Sequence, residues 1–169
     1  MDVTIGPRAA AFGMAFGKVA VALLFLEHAL RLFLSVPGRD KAIGPRGAAN
    51  LAAGDRVPEN SFTDATSYGD LLVHYNEVVR VDHPDCVIDQ ELERLHDAVS
   101  TGRMSPLVSA DIPFVLLKFG PPSNGTVEVT AALPLSEEWL QQQFSHVMAE
   151  ISKVQAALRA RVKCERSGR

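Results

Sequence analysis

The chain has 169 residues, 47% of them apolar and 22% charged, with a net charge of −3. That is ordinary globular composition, and it predicts a single domain spanning 1–169 that needs neither disulfides nor a metal to hold its core, because a chain of this length removes about 70% of its unfolded surface from water. The pI of about 5.9 is unlike that of a general nucleic-acid binder, whose domain pI exceeds about 9.

The first element is a helix near 9–34. Phe12, Phe16, Val19, Leu23, Leu26, Leu30 and Phe33 are spaced 4-3-4-3-4-3, a continuous stripe on one helix face. Val21, Phe25 and Leu32 make the other side apolar as well, and Gly13, Gly17 and Ala20 form a strip of small residues where a second backbone can approach. Such a helix belongs in the middle of a fold or at a dimer interface. Ala9 to Leu26 is not expected to cross a membrane or to act as a signal, since Lys18 interrupts it, Glu27, His28 and Arg31 follow at once, and a span needs about 20 apolar residues. Glu27 and Arg31 stand four apart as an ion pair, and Glu27 is also a candidate for an inward-facing polar role.

Residues 36–60 hold three Pro and four Gly and predict a loop, with at most one helical turn around Ala48–Ala53. A second helix, about 64–81, follows from the spacing of Tyr68, Leu71, Leu72, Tyr75, Val78 and Val79, and it stops before Pro84. Asp89 is placed to cap a third helix through Ser100, with Gly102 ending it. The period then changes: 113–119 and 126–130 read as strands around the turn cluster Pro121–Gly125, a hairpin over 112–131. Ser136 opens a last helix, 136–162, with Leu140, Phe144, Val147, Ile151, Val154 and Leu158 on one face, widened by Trp139 and Met148. The predicted fold is mainly α, a bundle of four principal helices with one inserted β-hairpin and a basic tail at about 159–169.

Charge is unevenly distributed. Residues 61–106 carry three Arg against nine Asp/Glu, a net of −6, and residues 153–169 six Lys/Arg against one Glu, a net of +5, which suggests association between subunits or with a partner as well as a solvated surface. Cys86 and Cys164 lie far apart outside any metal-ligand spacing, so free thiols in a reducing cytoplasm are expected. Nucleotide-loop, zinc-protease and nucleophile-elbow motifs are absent, and none of the five histidines pairs with another His, Cys or acid in a strong ligand spacing. Neither metal nor cofactor is expected.

The most informative segment is Ile88–Met104. Leu95, Asp97, Ala98, Gly102 and Arg103 fall on the helix ending L-x-x-L-R-D-A-[IL]-A-H-G-R, and Leu116-Leu117-Lys118-Phe119, the Asn124-Gly125 turn and Trp139-Leu140 follow in the same order. With the first helix, from Phe16-Gly17 to Leu30-Arg31, this resembles an uncharacterised bacterial branch of the HEPN superfamily, whose members are α-helical, usually dimeric, and in many cases RNases. The resemblance covers most of the chain except 36–60 and implies a homodimer with helix 89–103 and part of the first helix near the interface.

The departures matter more than the matches. Catalytic members of the resembled family place an Arg and, four to six residues on, a His at an RNA phosphodiester. Here His96 stands at the Arg position and Thr101 at the His position, and a hydroxyl with no titration near neutral pH cannot replace an imidazole in acid/base work. The leading expectation is a noncatalytic homodimeric binding or interaction protein with an RNA or protein partner, in which Glu27, His96, Asp97, Thr101 and Arg103 are the binding residues, Asp97 accepts from Arg103 or His96, and Thr101 caps the helix end. The alternative is a weak, metal-independent RNase of toxin or defence type that uses His96 and Arg103 as a reversed catalytic pair, seven residues apart.

Overall fold

The computed structural model describes residues 7–35, 52–53, 56, 64, 66–106 and 114–167. The loop expected at 36–60 falls outside them except at residues 52, 53 and 56, as does most of the turn expected at Ala48–Ala53. Four α-helices and a three-stranded antiparallel sheet make up the described fold, which is mainly α: α1 (Pro7–Leu34), α2 (Tyr68–Asp82), α3 (Leu92–Thr101), β1 (Arg103–Pro106), β2 (Phe114–Phe119), β3 (Val129–Leu135) and α4 (Glu137–Ser167). By the proximity of its residues in space the chain divides into two units, Met1–Leu24 with Glu91–Ala149 and Phe25–Gln90 with Glu150–Arg169.

In the first unit, Phe12, Val19 and Leu23 of α1 are buried, as the 4-3 spacing requires, with Leu95 and Ala98 of α3, Leu116 of β2, and Leu140 and Val147 of α4. The Phe12 and Phe114 rings meet with centroids 4.4 Å apart. The sheet order is β1-β2-β3. Strand β1, pairing Arg103 with Leu117 and Pro106 with Phe114, corrects the expected two-stranded hairpin: four residues that include a proline carry too little alternation to read as a strand. The hairpin of β2 and β3 closes through Asn124 (φ 51°) and Gly125 (φ 76°), flanked by the Ser123–Thr126 bridge, the left-handed pair that a two-residue hairpin turn demands. Strand β3 starts at Val129, later than the expected 126, because residues 121–128 extend the tip. The Ser136 hydroxyl accepts from the Trp139 N–H at 3.1 Å and caps α4 as expected. Met148 is 42% exposed and does not widen the α4 stripe.

In the second unit, Leu26, Leu30 and Phe33 of α1 are buried with Leu72, Tyr75 and Val79 of α2 and Ile151, Val154 and Ala157 of α4. The rings of Phe33 and Tyr75 meet edge to face at 4.9 Å. Helix α2 begins at Tyr68, not near 64, because Ser67 caps it: its hydroxyl accepts from the Asp70 N–H at 3.1 Å and donates to the Asp70 carboxylate at 2.6 Å. Pro84 then starts a single 3-10 turn, Pro84–Cys86. Asp89 does not cap α3. Glu91 holds that position, and the Asp89 N–H donates to the buried Glu150 carboxylate at 3.2 Å.

The segment 86–89 belongs to no sheet; the Cys86 and Val87 N–H groups donate to the His83 and Pro84 carbonyls, and the rest of its pairing comes from side chains. Tyr75 Oη donates to the Cys86 carbonyl at 3.1 Å, and Lys153 Nζ donates to the Val87 carbonyl at 3.2 Å. Asn76, only 2% exposed, donates to the Ile88 carbonyl and accepts from the Ile88 N–H, both at 2.9 Å. Buried backbone groups must be paired, so a conformation outside regular structure is specified by the amide of Asn76 and the charges of α4.

Both tyrosines of the chain lie in this unit and are buried. Burial first, then the negative charges of Glu27 and Glu150, raises the Tyr68 phenol well above its usual range; burial, with Cys86 and Glu150, does the same for Tyr75. A folded pKa above the unfolded one gives stability that is complete below the unfolded value of about 10 and declines as pH rises above it. Phenolate absorbance in an alkaline titration is therefore expected to rise together with the loss of helical circular dichroism. A phenolate transition near pH 10 in a chain that stays helical would contradict the burial.

Candidate functional site

The resembled motif falls in the first unit, where α3 runs into β1. Helix α3 ends at Gly102, whose N–H donates to the Ala98 carbonyl at 2.8 Å. Gly102 has an ordinary extended φ of −69°, so the glycine is required by space, not by handedness. A Cβ there would stand 2.3 Å from the Ala98 oxygen and 2.9 Å from the Leu116 side chain. Gly102→Ala is expected to cost about 1–3 kcal/mol by overpacking, read as a lower urea midpoint at unchanged slope; an unchanged midpoint would show that the helix-to-strand junction yields freely.

Because α3 stops there, Arg103 leaves the helix face and enters β1, where its guanidinium lies over the Phe119 ring at 5.6 Å. Asp97 remains on α3 and forms its ion pair with Lys118 of β2, not with Arg103. Thr101 turns its hydroxyl back onto its own helix, donating to the Asp97 carbonyl at 2.7 Å; it is the last residue of α3, and the cap position expected of it belongs to Gly102. Beside the Asp97–Lys118 pair lies a cavity of about 460 Å3 lined by Arg94, Ala98 and residues 130–133 of β3.

His96 occupies different ground. Half-buried, it lines a smaller cavity of about 230 Å3 with Ala20, Leu23 and Leu24 of α1 and Val99 and Ser100 of α3. The structure thus brings Asp97, Thr101 and Lys118 together, while His96 faces α1 and Arg103 faces Phe119 of β2. Among the described residues no three His, Cys, Asp or Glu side chains are grouped to hold a metal.

Glu27 belongs to the second unit. It accepts from Arg31 Nε at 3.1 Å and Nη2 at 3.0 Å, and Arg31 Nη1 reaches Asp64 at 2.7 Å. Partial burial opposes the Arg31 charge, but the bonds to Asp64 and Glu27 outweigh it and raise the guanidinium pKa. Partial burial likewise opposes the Asp64 charge, and the bonds from Arg31 and Thr66 outweigh it and hold the carboxyl below its usual range. Glu27 therefore serves an ion triad that ties the end of α1 to the approach to α2.

No family model, curated protein or solved structure matches this chain. Its chemistry must be read from its own surfaces. Helix α1 carries an apolar one in the first unit: Met14, Gly17, Val21 and Leu24 follow a second 3-4-3 stripe, with Met14, Val21 and Leu24 exposed by 67%, 50% and 62%. A Cβ added at Gly13 or Gly17 would meet nothing within 4 Å. By length and composition alone, residues 9–34 also suffice to cross a bilayer.

One participant of the site, Lys118, entered the sequence analysis only as part of the Leu116–Phe119 segment and the one charge in Phe114–Phe119; its pairing with Asp97 had no local signal.

Proposed function

We propose that the protein is a noncatalytic, HEPN-like homodimeric interaction protein of the cytoplasm, pairing through the outer stripe of α1 and presenting the polar region around Asp97, Thr101, Lys118 and Arg103 to an RNA or protein partner. The observation that carries the reading is the exposed apolar stripe of Met14, Val21 and Leu24 with open space at Gly17. Contiguous apolar surface of this kind marks an interaction site.

A second copy suits the stripe better than a bilayer does. In an antiparallel pair centred near Val19, Gly17 of each chain faces Val21 of its partner and Met14 faces Leu24, so small meets branched and long meets long. This is the self-complementarity a two-fold interface requires. Lys18 is exposed within the same stretch, and a lysine at the centre of a membrane helix costs about 2.5–3.5 kcal/mol.

The placement of Arg103 over Phe119 and of His96 against α1 argues against a reversed catalytic pair, because both groups must reach one phosphodiester. General acid/base assistance is worth about 10²–10⁴ in rate, so its absence is visible in a crude assay. Single-turnover incubation with a mixed RNA pool is therefore expected to stay at background. Cleavage by the natural chain that is abolished by His96→Ala or Arg103→Ala, with the fold retained, would overturn the noncatalytic reading.

A further inference from the structure

The hairpin of β2 and β3 turns on Asn124 and Gly125, between Ser123 and Thr126, whose backbones exchange both hydrogen bonds at 2.8 and 3.0 Å. The positive φ of both central residues, 51° and 76°, is that of a type I′ turn. Every residue from 121 to 130 is exposed, and a Cβ at Gly125 would meet nothing within 4 Å. Among the described residues, neither the Asn124 amide nor the Gly125 N–H has a hydrogen-bond partner. Asn76 is the opposite case, since it is 2% exposed and both ends of its amide are held by Ile88. Asn50, Asn60 and Asn76 precede Leu51, Ser61 and Glu77, whose side chains hinder the backbone nitrogen that follows each asparagine. Gly125 has no side chain to do so.

We propose that Asn124 is a site of spontaneous deamidation, through which the hairpin turn acquires a carboxylate and, in part of the chains, an isoaspartyl link. The Gly125 nitrogen attacks Cγ of Asn124 and closes a succinimide ring. Its proton passes to the side-chain nitrogen, and the Cγ–N bond breaks to release ammonia. Water, the sole co-reactant, then opens the ring. Cleavage of the new bond between Cγ and the Gly125 nitrogen leaves aspartate at position 124, and cleavage of the original peptide bond leaves isoaspartate. Ring closure requires the Gly125 nitrogen to turn toward the Asn124 side chain, and the turn supplies the route. Rotation of the single peptide plane between the two residues converts type I′ into type II′, both of which suit a two-residue hairpin. Asn124 keeps its positive φ in either form, and Gly125 accepts either sign. The isoaspartyl link places Cβ in the main chain. The Ser123–Thr126 pairing fits a two-residue turn and not the lengthened one, so the tip opens back toward Gly120, whose N–H donates to the Glu128 carbonyl at 2.8 Å. Pairing through α1 plays no part in this chemistry.

The test is incubation of the full chain in warm, mildly alkaline buffer, followed by proteolysis and liquid chromatography with mass spectrometry. The peptide that carries Asn124 is expected to gain the mass difference between a hydroxyl and an amino group. It is also expected to split into two products of equal mass, one aspartyl and one isoaspartyl. Conversion at Asn76 is expected to be at least about tenfold slower. Asn124→Gly retains a residue pair suited to the turn, and it is expected to stay folded by circular dichroism and to show no such mass gain in this peptide. Retention of the Asn124 amide throughout, conversion of Asn76 at an equal rate, or a single aspartyl product formed without cyclisation would each overturn the proposal.

Discussion

Asn76→Ala is expected to be strongly destabilising although it alters no charge. The Asn76 amide is 2% exposed and satisfies both the N–H and the carbonyl of Ile88 at 2.9 Å. Truncation leaves a buried donor and a buried acceptor without partners, each costing about 1–3 kcal/mol. A combined loss of about 3 kcal/mol lowers the melting temperature by roughly 6–12 °C for a chain of this size. Asn76→Asp distinguishes the two bonds: it keeps an acceptor for the Ile88 N–H and loses the donor to the Ile88 carbonyl, so it is also expected to destabilise. Gln142→Ala, on an exposed face of α4, serves as the control and is expected to change stability by less than about 0.5 kcal/mol. Equal melting temperatures for Asn76→Ala and the control would show that the 86–89 segment is held by something other than side-chain clamping.

Val21→Glu is expected to have the largest effect on association. In the antiparallel pairing each dimer would bury two such carboxylates, one from each chain, opposite Gly17 of the other copy. An uncompensated buried charge costs about 3–5 kcal/mol, so the dimer dissociation constant should rise by at least about 10³-fold. Val21 is 50% exposed in the single chain, and the helical circular dichroism and urea midpoint of the monomer should therefore be close to those of the natural sequence. Gly17→Leu tests the same contact by bulk: a Cβ there meets nothing within 4 Å in one chain, so the fold tolerates it while the partner helix is pushed away. Variants that unfold the monomer, or that leave association unchanged, would contradict the assignment of this face.

The fold was legible in the sequence where a periodic pattern ran for several turns. The 4-3 stripes of α1 and α4 are long enough that spacing places most of their burial: Phe12, Val19, Leu23, Leu26, Leu30 and Phe33 are buried, while Phe16 of the same stripe and Phe144 and Leu158 of the α4 stripe are only half-buried. The Asn124–Gly125 turn was legible because few residue pairs accept two left-handed conformations in succession. Strand β1 was not, because Arg103–Pro106 takes its identity from its partner β2 and not from its own residues. The start of α3 was misplaced by local reasoning. Asp89 has the side chain of a cap, but α3 starts only at Leu92 with Glu91 at the cap position, and the Asp89 N–H is tied to Glu150, 61 residues away, which no local rule anticipates.

The candidate site was legible in membership and not in pairing. His96, Asp97, Thr101 and Arg103 all lie around the end of α3, as their proximity in sequence requires. Which of them share a cavity is set by where the helix stops. Helix α3 stops at Gly102, where Ala98 and Leu116 leave no room for a Cβ, and past that point Arg103 lies over Phe119 while Asp97 pairs with Lys118. The Glu27–Arg31 pair was legible from its spacing of four. Its third member, Asp64, lies 33 residues further along the chain, so no local spacing announces it.

Sedimentation equilibrium of the full natural chain is the most direct test of pairing through α1, carried out at micromolar concentrations, without detergent, alongside Val21→Glu. The predicted result is a species of twice the 18.3 kDa chain mass for the natural sequence and a single-chain mass for the variant. A single-chain mass for the natural protein at every concentration, or partition of the natural protein into lipid vesicles in place of self-association, would contradict the account.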